Sequence, residues 1–208
     1  MDFGLCVILT SPVSGYEACA EAAVACGVRY LQLRMKDTPR SEVVATAHRI
    51  LRITAGSPTL LVVNDDPVAA LESGADGVHF GQSDIPPGWG DGVPPSRSDF
   101  KLIGISTHNL AQARHTITRF RPDYIGVGPV FATPTKRDHD PALGVAETAR
   151  IIAAAAPVPA LAIGGITPER IPSLAAAGIR NIAVVSAVCS ARDPRMAIRG
   201  LQRAMAAN

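Results

Sequence analysis

The chain has 208 residues, 47% hydrophobic and 18% charged, which excludes a disordered or fibrous protein and fits one α/β domain over 1–208. Aromatic residues make up only 4%, too few for rows of rings stacked on single-stranded nucleic acid. Twenty Lys and Arg against eighteen Asp and Glu leave +2, no nucleic-acid footprint but compatible with one local anion site.

The opening MDFGLCVILT has no basic residue ahead of its apolar run, and Gly, Pro or charge interrupts every stretch long enough to span a bilayer. The expectation is a cytoplasmic, soluble protein without a membrane partner. Along the chain, β-rich runs fall at 5–9, 29–33, 59–63, 77–80, 101–105, 124–127, 159–163 and 181–185. Their near-continuous apolar character suits parallel strands covered on both faces. Helical patterns lie between them at 14–26, 40–55, 66–73, 109–119, 144–155, 168–177 and 193–206, with Asn109 as an N-cap and Pro168 at a helix start.

The strings ACGVRYLQL, ESGADGVHF and AAGIRNIAVV repeat one device, a Gly that closes a helix in the left-handed conformation before the next strand. Eight strands in 208 residues give 26 per unit, enough for a (βα)8 TIM barrel. A doubly wound open sheet is the rival, but it normally uses fewer strands. Between the fourth and fifth runs, IPPGWGDGVPPSRSDF (85–100) carries four Pro and three Gly where a helix belongs. The fourth helix is therefore expected to be abbreviated or irregular, either as simple shortening or as a lid. Cys6, Cys19, Cys26 and Cys189 form no CxxC pair and read as buried core thiols.

Chemistry in such a barrel belongs at the strand carboxyl ends. After the second run, alternation points Gln32, Arg34 and Lys36 the same way. Two cations there are either loop charge or a grip on phosphate or diphosphate. Asp65 and Asp84 emerge from adjacent strands and could share a hard cation such as Mg²⁺, while helix capping competes for Asp65 and more strongly for Asp66. Asp84 could instead organise its turn. Ser106 ends the fifth run with no His-plus-acid relay evident at a defined spacing, which disfavours serine hydrolysis. Thr133, Pro134, Thr135 and Lys136 read as an anion clamp or as a loop braced by its own hydroxyls. Gly164–Gly165 and Val185–Ser186, at the ends of the seventh and eighth runs, suit phosphate.

Taken together, QLRMK (32–36), VNDD (63–66), GADGVHFGQSD (74–84), IGISTH (103–108), DYIGVGPVFATPTK (123–136), AIGGITPERI (162–171) and IAVVSAV (182–188) closely resemble the thiamine-phosphate synthase family across essentially all eight units. The resemblance implies an Mg²⁺-dependent transferase. It would join 4-amino-2-methyl-5-hydroxymethylpyrimidine diphosphate to a (carboxy)thiazole phosphate, giving thiamine phosphate and diphosphate. It also implies roles. Gln32, Arg34, Lys36, Asn64, Ser106 and Lys136 would serve the pyrimidine diphosphate, with Arg34, Lys36, Ser106 and Lys136 catalytic. Asp65 and Asp84 would bind the metal, and Thr133, Pro134, Thr135, Gly165, Val185 and Ser186 the thiazole phosphate. A homodimer is compatible with the resemblance.

The chain departs from the family pattern in two places. Many relatives end the first strand in VTD, where this chain has Leu9-Thr10-Ser11, and the Pro-rich stretch replaces a helix-like segment. Arg137, Asp138, His139 and Asp140 read as a solvent-facing polar tail, with His139 as an acid the sharper alternative. Two other functions compete: a thiazole tautomerase of the related barrel family, and a non-catalytic thiamine- or phosphate-binding protein. Retention of Gln32, Arg34, Lys36, Asn64, Asp65 and Asp84 argues against the tautomerase.

Overall fold

The computed structural model describes residues 3–89, 96–133 and 141–207. Eight parallel strands close into a barrel in sequential order, β1 (Leu5–Leu9), β2 (Tyr30–Leu33), β3 (Leu60–Asn64), β4 (Gly77–Phe80), β5 (Leu102–Thr107), β6 (Tyr124–Val127), β7 (Ala160–Ile163) and β8 (Ile182–Val184), with β8 pairing back onto β1. The open-sheet alternative is thereby excluded. Asn181 seals the closing seam, its side-chain oxygen accepting the N–H groups of Phe3 and Gly4 at 3.1 and 2.9 Å.

Around the strands lie α1 (Tyr16–Ala25), α2 (Arg40–Thr54), α3 (Pro67–Ser73), α4 (Leu110–Phe120), α5 (Gly144–Ala155), α6 (Ile171–Ala176), α7 (Ser186–Cys189) and α8 (Pro194–Ala206). Asn109 and Asp66 cap α4 and α3 by accepting the N–H groups of Gln112 and Ala69. Gly27, Gly74 and Gly178 take the expected left-handed conformation. Two helical boundaries differ from the pattern. Pro168–Arg170 is a 3₁₀ turn leading into α6, and α7, too short to show a period, follows β8 directly.

No helix between β4 and β5 occurs among the described residues; only a 3₁₀ turn at Arg97–Asp99 is present. Trp89 supplies the missing apolar cover, packing edge-on against Phe80 at 4.7 Å between centroids and stacking near Phe100 at 6.1 Å. The lid reading falls partly on 90–95, outside the described residues.

Strand alternation divides the core in two. Leu5, Val7 and Leu9 of β1 pack against the helix layer, while Cys6 and Ile8 join Tyr30, Val62, Tyr124, Leu161 and Ala183 inside the barrel. Cys6, Cys19 and Cys189 are buried as expected, whereas Cys26, at the end of α1, is only half-buried. Burial pushes the Cys6 and Cys189 thiols up to about 12 and 11, which keeps them protonated and unreactive.

Candidate active site

Residues pointing inward at the strand carboxyl ends line one cavity. Gln32, Arg34 and Lys36 reach it from β2 and beyond, Asn64 and Asp65 from β3, and His79, Gly81 and Asp84 from β4 and its turn. Ser106, Thr133, Gly165, Val185 and Ser186 complete the opposite arc. Pro134, Thr135 and Lys136, together with the polar tail at 137–140, lie outside the described residues.

Asp65 and Asp66 divide two tasks. Asp66 caps α3 and pairs with Arg40 at 2.7 Å, the capping role favoured from sequence. Asp65 does not cap. It takes a left-handed φ of 64°, a conformation uncommon for any residue but Gly and most accessible to Asn and Asp. Its N–H donates to the His79 carbonyl at 2.7 Å, and its carboxylate accepts from the Gly81 N–H at 3.0 Å and from the Asn64 amide. Lys36 closes onto this carboxylate and lies 3.6 Å from that of Asp84. Burial alone would lower the Lys36 pKa, but the hydrogen bond and charge of Asp65, with Asp84 behind it, raise it above the ordinary lysine value against the opposing charge of Arg34.

The Asp84 turn is held by its own N–H donating to the Gly81 carbonyl at 3.1 Å. Gln82 anchors the turn to β5, donating to the Ser106 carbonyl at 2.6 Å. Gly81 sits between the two carboxylates: a Cβ there would lie 2.3 Å from Asp84 Oδ2 and 3.9 Å from Asp65 Oδ1. The pair offers hard oxygen donors around a gap that only glycine leaves open, a donor set that fits Mg²⁺ as part of its shell. Among the described residues no group of three or more His, Cys, Asp or Glu that could hold a metal ion is present.

The residue that follows the first strand braces the cation rim. Thr10 Oγ donates to the Arg34 carbonyl at 2.6 Å, and Arg34 Nη1 donates back to the same hydroxyl at 3.4 Å. Across the cavity, Gly164 and Gly165 hold φ of 107° and 62°. A Cβ on either would lie 2.6 Å from Pro129 Cβ or 2.7 Å from the Ala132 carbonyl oxygen, so backbone replaces side chain at the rim. Arg170 fastens this turn, donating to the Gly165 carbonyl at 2.5 Å and lying 4.7 Å over the Phe131 ring.

Sequence reasoning overlooked His79, Tyr124 and His108. The His79 ring lies between the Tyr124 hydroxyl, 3.0 Å from Nδ1, and Ser106 Oγ, 2.9 Å from Nε2. Burial pushes the imidazole down to about 4 against the pull of Asp65. Ser106 thus does contact a histidine, but the ring's other partner is a phenol rather than the carboxylate of a hydrolytic triad. His108 Nδ1 is 2.7 Å from the Gly128 carbonyl oxygen. The glycine inside the LIGI strand was the available signal, because glycine within a strand marks a close approach by another group.

A (βα)8 barrel with paired carboxylates and cations on one rim and, on the other, a glycine turn after β7 and Val185–Ser186 after β8 defines the class: a phosphate-handling barrel enzyme scaffold. The sequence pattern described as thiamine monophosphate synthase matches residues 6–188, and the chain belongs to that family. It is 38% identical over 193 residues to the thiamine-phosphate synthase of Laribacter hongkongensis, covering 93% of this chain and 89% of the relative. The enzyme of the same name from Anaeromyxobacter dehalogenans is 39% identical over 191 residues, covering 90% and 82%. The solved thiamine phosphate pyrophosphorylase from Pyrococcus furiosus superposes with a TM-score of 0.85 at 27% identity, covering 99% of this chain and 96% of that one.

Proposed function

We propose that this chain is a thiamine-phosphate synthase, displacing diphosphate from the pyrimidine methylene carbon by the nitrogen of a (carboxy)thiazole phosphate. The observation that carries the reading is the convergence of Arg34, Lys36, Asp65 and Asp84 on one rim of a cavity whose opposite rim is the Gly164–Gly165 turn and Val185–Ser186. Two anionic groups can thus be held facing each other. The same rim disfavours the tautomerase, which has no diphosphate to neutralise.

Asp65 and Asp84 would hold Mg²⁺, which when bound supplies positive charge beside the diphosphate oxygens. Arg34, braced by Thr10, offers a planar fork for phosphate oxygens, and Lys36, paired with Asp65, adds an ammonium that would turn to the diphosphate once the carboxylates hold the metal. Together with the Ser106 hydroxyl and Lys136, these groups stabilise charge on the departing diphosphate. Gln32 and Asn64 orient the pyrimidine. Thr133, Pro134, Thr135, Gly165, Val185 and Ser186 seat the thiazole phosphate, so that its nitrogen attacks across a short, prearranged gap. No protein nucleophile takes part. The reading treats 1–208 as one catalytic domain working on small molecules in the cytoplasm. No described helix is long and apolar enough to cross a membrane.

The test is a product assay with purified protein, both substrates and Mg²⁺, read by mass spectrometry, with each component omitted in turn. Equimolar thiamine phosphate and diphosphate that require every component support the synthase. Folded protein that makes neither product, also with the carboxylated thiazole, refutes it, and thiazole isomerisation without pyrimidine would install the tautomerase.

A further inference from the structure

We infer that Tyr124 and His79 form a directional hydrogen-bond chain across the barrel interior that turns the Ser106 hydroxyl proton into the cavity, making Ser106 a fixed donor to an anionic oxygen and His79 its positioning residue. The inference deepens the synthase reading, in which Ser106 faces the diphosphate.

The chain exists because of strand register. His79 on β4, Gly104 on β5 and Tyr124 on β6 are aligned neighbours. Inward side chains from β4 and β6 can meet only if the strand between them contributes none. A Cβ on Gly104 would lie 2.1 Å from Tyr124 Cζ and 2.4 Å from both the Tyr124 hydroxyl and His79 Nδ1. Glycine at 104 therefore vacates the point where the two rings bond. Ser106, two residues farther along β5, stands beside Nε2 at the cavity wall.

Donors and acceptors then run in one direction. Burial keeps the Tyr124 phenol protonated, and His79 Nδ1, 3.0 Å from its oxygen, is the acceptor for that proton. A neutral imidazole that accepts at Nδ1 carries its proton at Nε2 and donates it to Ser106 Oγ. A protonated ring would also donate from Nε2, so the direction at Ser106 does not rest on titration. The Ser106 proton is left to point into the cavity, where the leaving diphosphate is read to lie. A buried donor fixed in advance needs no reorganisation as charge develops.

Two measurements test this on the full chain. In long-range proton–nitrogen correlation spectra of protein labelled with ¹⁵N-histidine, His79, identified by its loss in His79→Gln, should show a bare Nδ1 and a protonated Nε2. A protonated Nδ1 beside a bare Nε2 overturns the inference, whether or not the protein makes thiamine phosphate. In the product assay, Ser106→Ala and His79→Leu should each lower kcat about 100-fold, the scale of losing one preorganised donor, with KM for the thiazole phosphate unchanged. His79→Gln, which keeps an N–H near the Nε2 position, should recover at least tenfold of that loss. The double variant His79→Leu/Ser106→Ala should be no slower than Ser106→Ala alone. Multiplying losses, or no recovery with Gln in folded protein, would reduce His79 to a packing residue. Should His79→Leu not fold, Tyr124→Phe, which deletes one hydroxyl, serves in its place: a lowered kcat that vanishes in the Ser106→Ala background supports the chain, and an unchanged one overturns it.

Discussion

Adjacent carboxylates on one loop serve different ends because one side chain meets a helix start and the other meets the cavity. Asp66→Ala removes the α3 cap and should lower unfolding free energy by about 1 kcal/mol while leaving the magnesium dependence of turnover unchanged. Asp84→Asn should do the reverse, raising the Mg²⁺ concentration needed for turnover without a matching change in stability. Identical magnesium titrations for Asp84→Asn and wild type would reject Asp84 as a metal ligand. His79 adds a pH prediction. Its folded pKa of about 4 lies below the ordinary 6.5, so the unfolded chain binds the extra proton first. Stability should be fully present above pH 6.5 and fall as the pH drops toward 4, by about 3 kcal/mol from this group. Urea unfolding across that window, compared with His79→Gln, isolates the contribution.

Glycines at the element scale separate positions set by space from positions that merely tolerate it. A Cβ on Gly128, just beyond β6, would lie 2.1 Å from the Ile163 carbonyl oxygen of β7, so Gly128→Ala must push neighbouring elements away from each other and should cost about 1–3 kcal/mol. Gly200, inside α8, has nothing within 4 Å of its missing Cβ. Gly200→Ala should stabilise the protein by about 0.5–1 kcal/mol by restricting the unfolded chain. Denaturant midpoints for the two variants should move in opposite directions, and a shared direction would contradict the packing described. The site carboxylates contrast with Asp76 and Asp123. These bind the opposite ends of strands, accepting the Leu61 and Ile103 N–H groups at 3.0 and 2.7 Å, and so belong to folding rather than chemistry.

For the whole molecule, a site built from groups on most of the strands links ligand binding to global unfolding. Inorganic diphosphate with Mg²⁺ at about 100 times its Kd should add about 2.7 kcal/mol, a rise in Tm of roughly 5–10 °C for a chain of this size. Diphosphate without Mg²⁺ should add much less, and equal shifts with and without the metal would count against a metal-bridged anion. The near-neutral total of +2 does not oppose this, because Arg34 and Lys36 act at the rim rather than through net charge. The family resemblance allows a homodimer, which sedimentation equilibrium would decide.

Much of the architecture was legible in sequence because it follows from local rules. All eight strands fall within two residues of their apolar runs, Asn109 and Asp66 cap as their types prefer, and four prolines with three glycines mark the stretch between β4 and β5 in which the described residues form no α-helix. The polar groups gathered at strand ends could be named for the same reason, since alternation fixes which residues face inward. What could not be read was the pairing between distant elements. Lys36 resting between Asp65 and Asp84, Thr10 bracing Arg34, and α7 packed under β1 through the Cys189 thiol depend on how strands stand beside one another. Tyr124 lies 45 residues from His79 and Ser106 lies 27 from it, separations to which no periodicity is sensitive. Barrel closure fixes the register that aligns His79, Gly104 and Tyr124, and only then does the empty place of one glycine become a hydrogen bond between its neighbours.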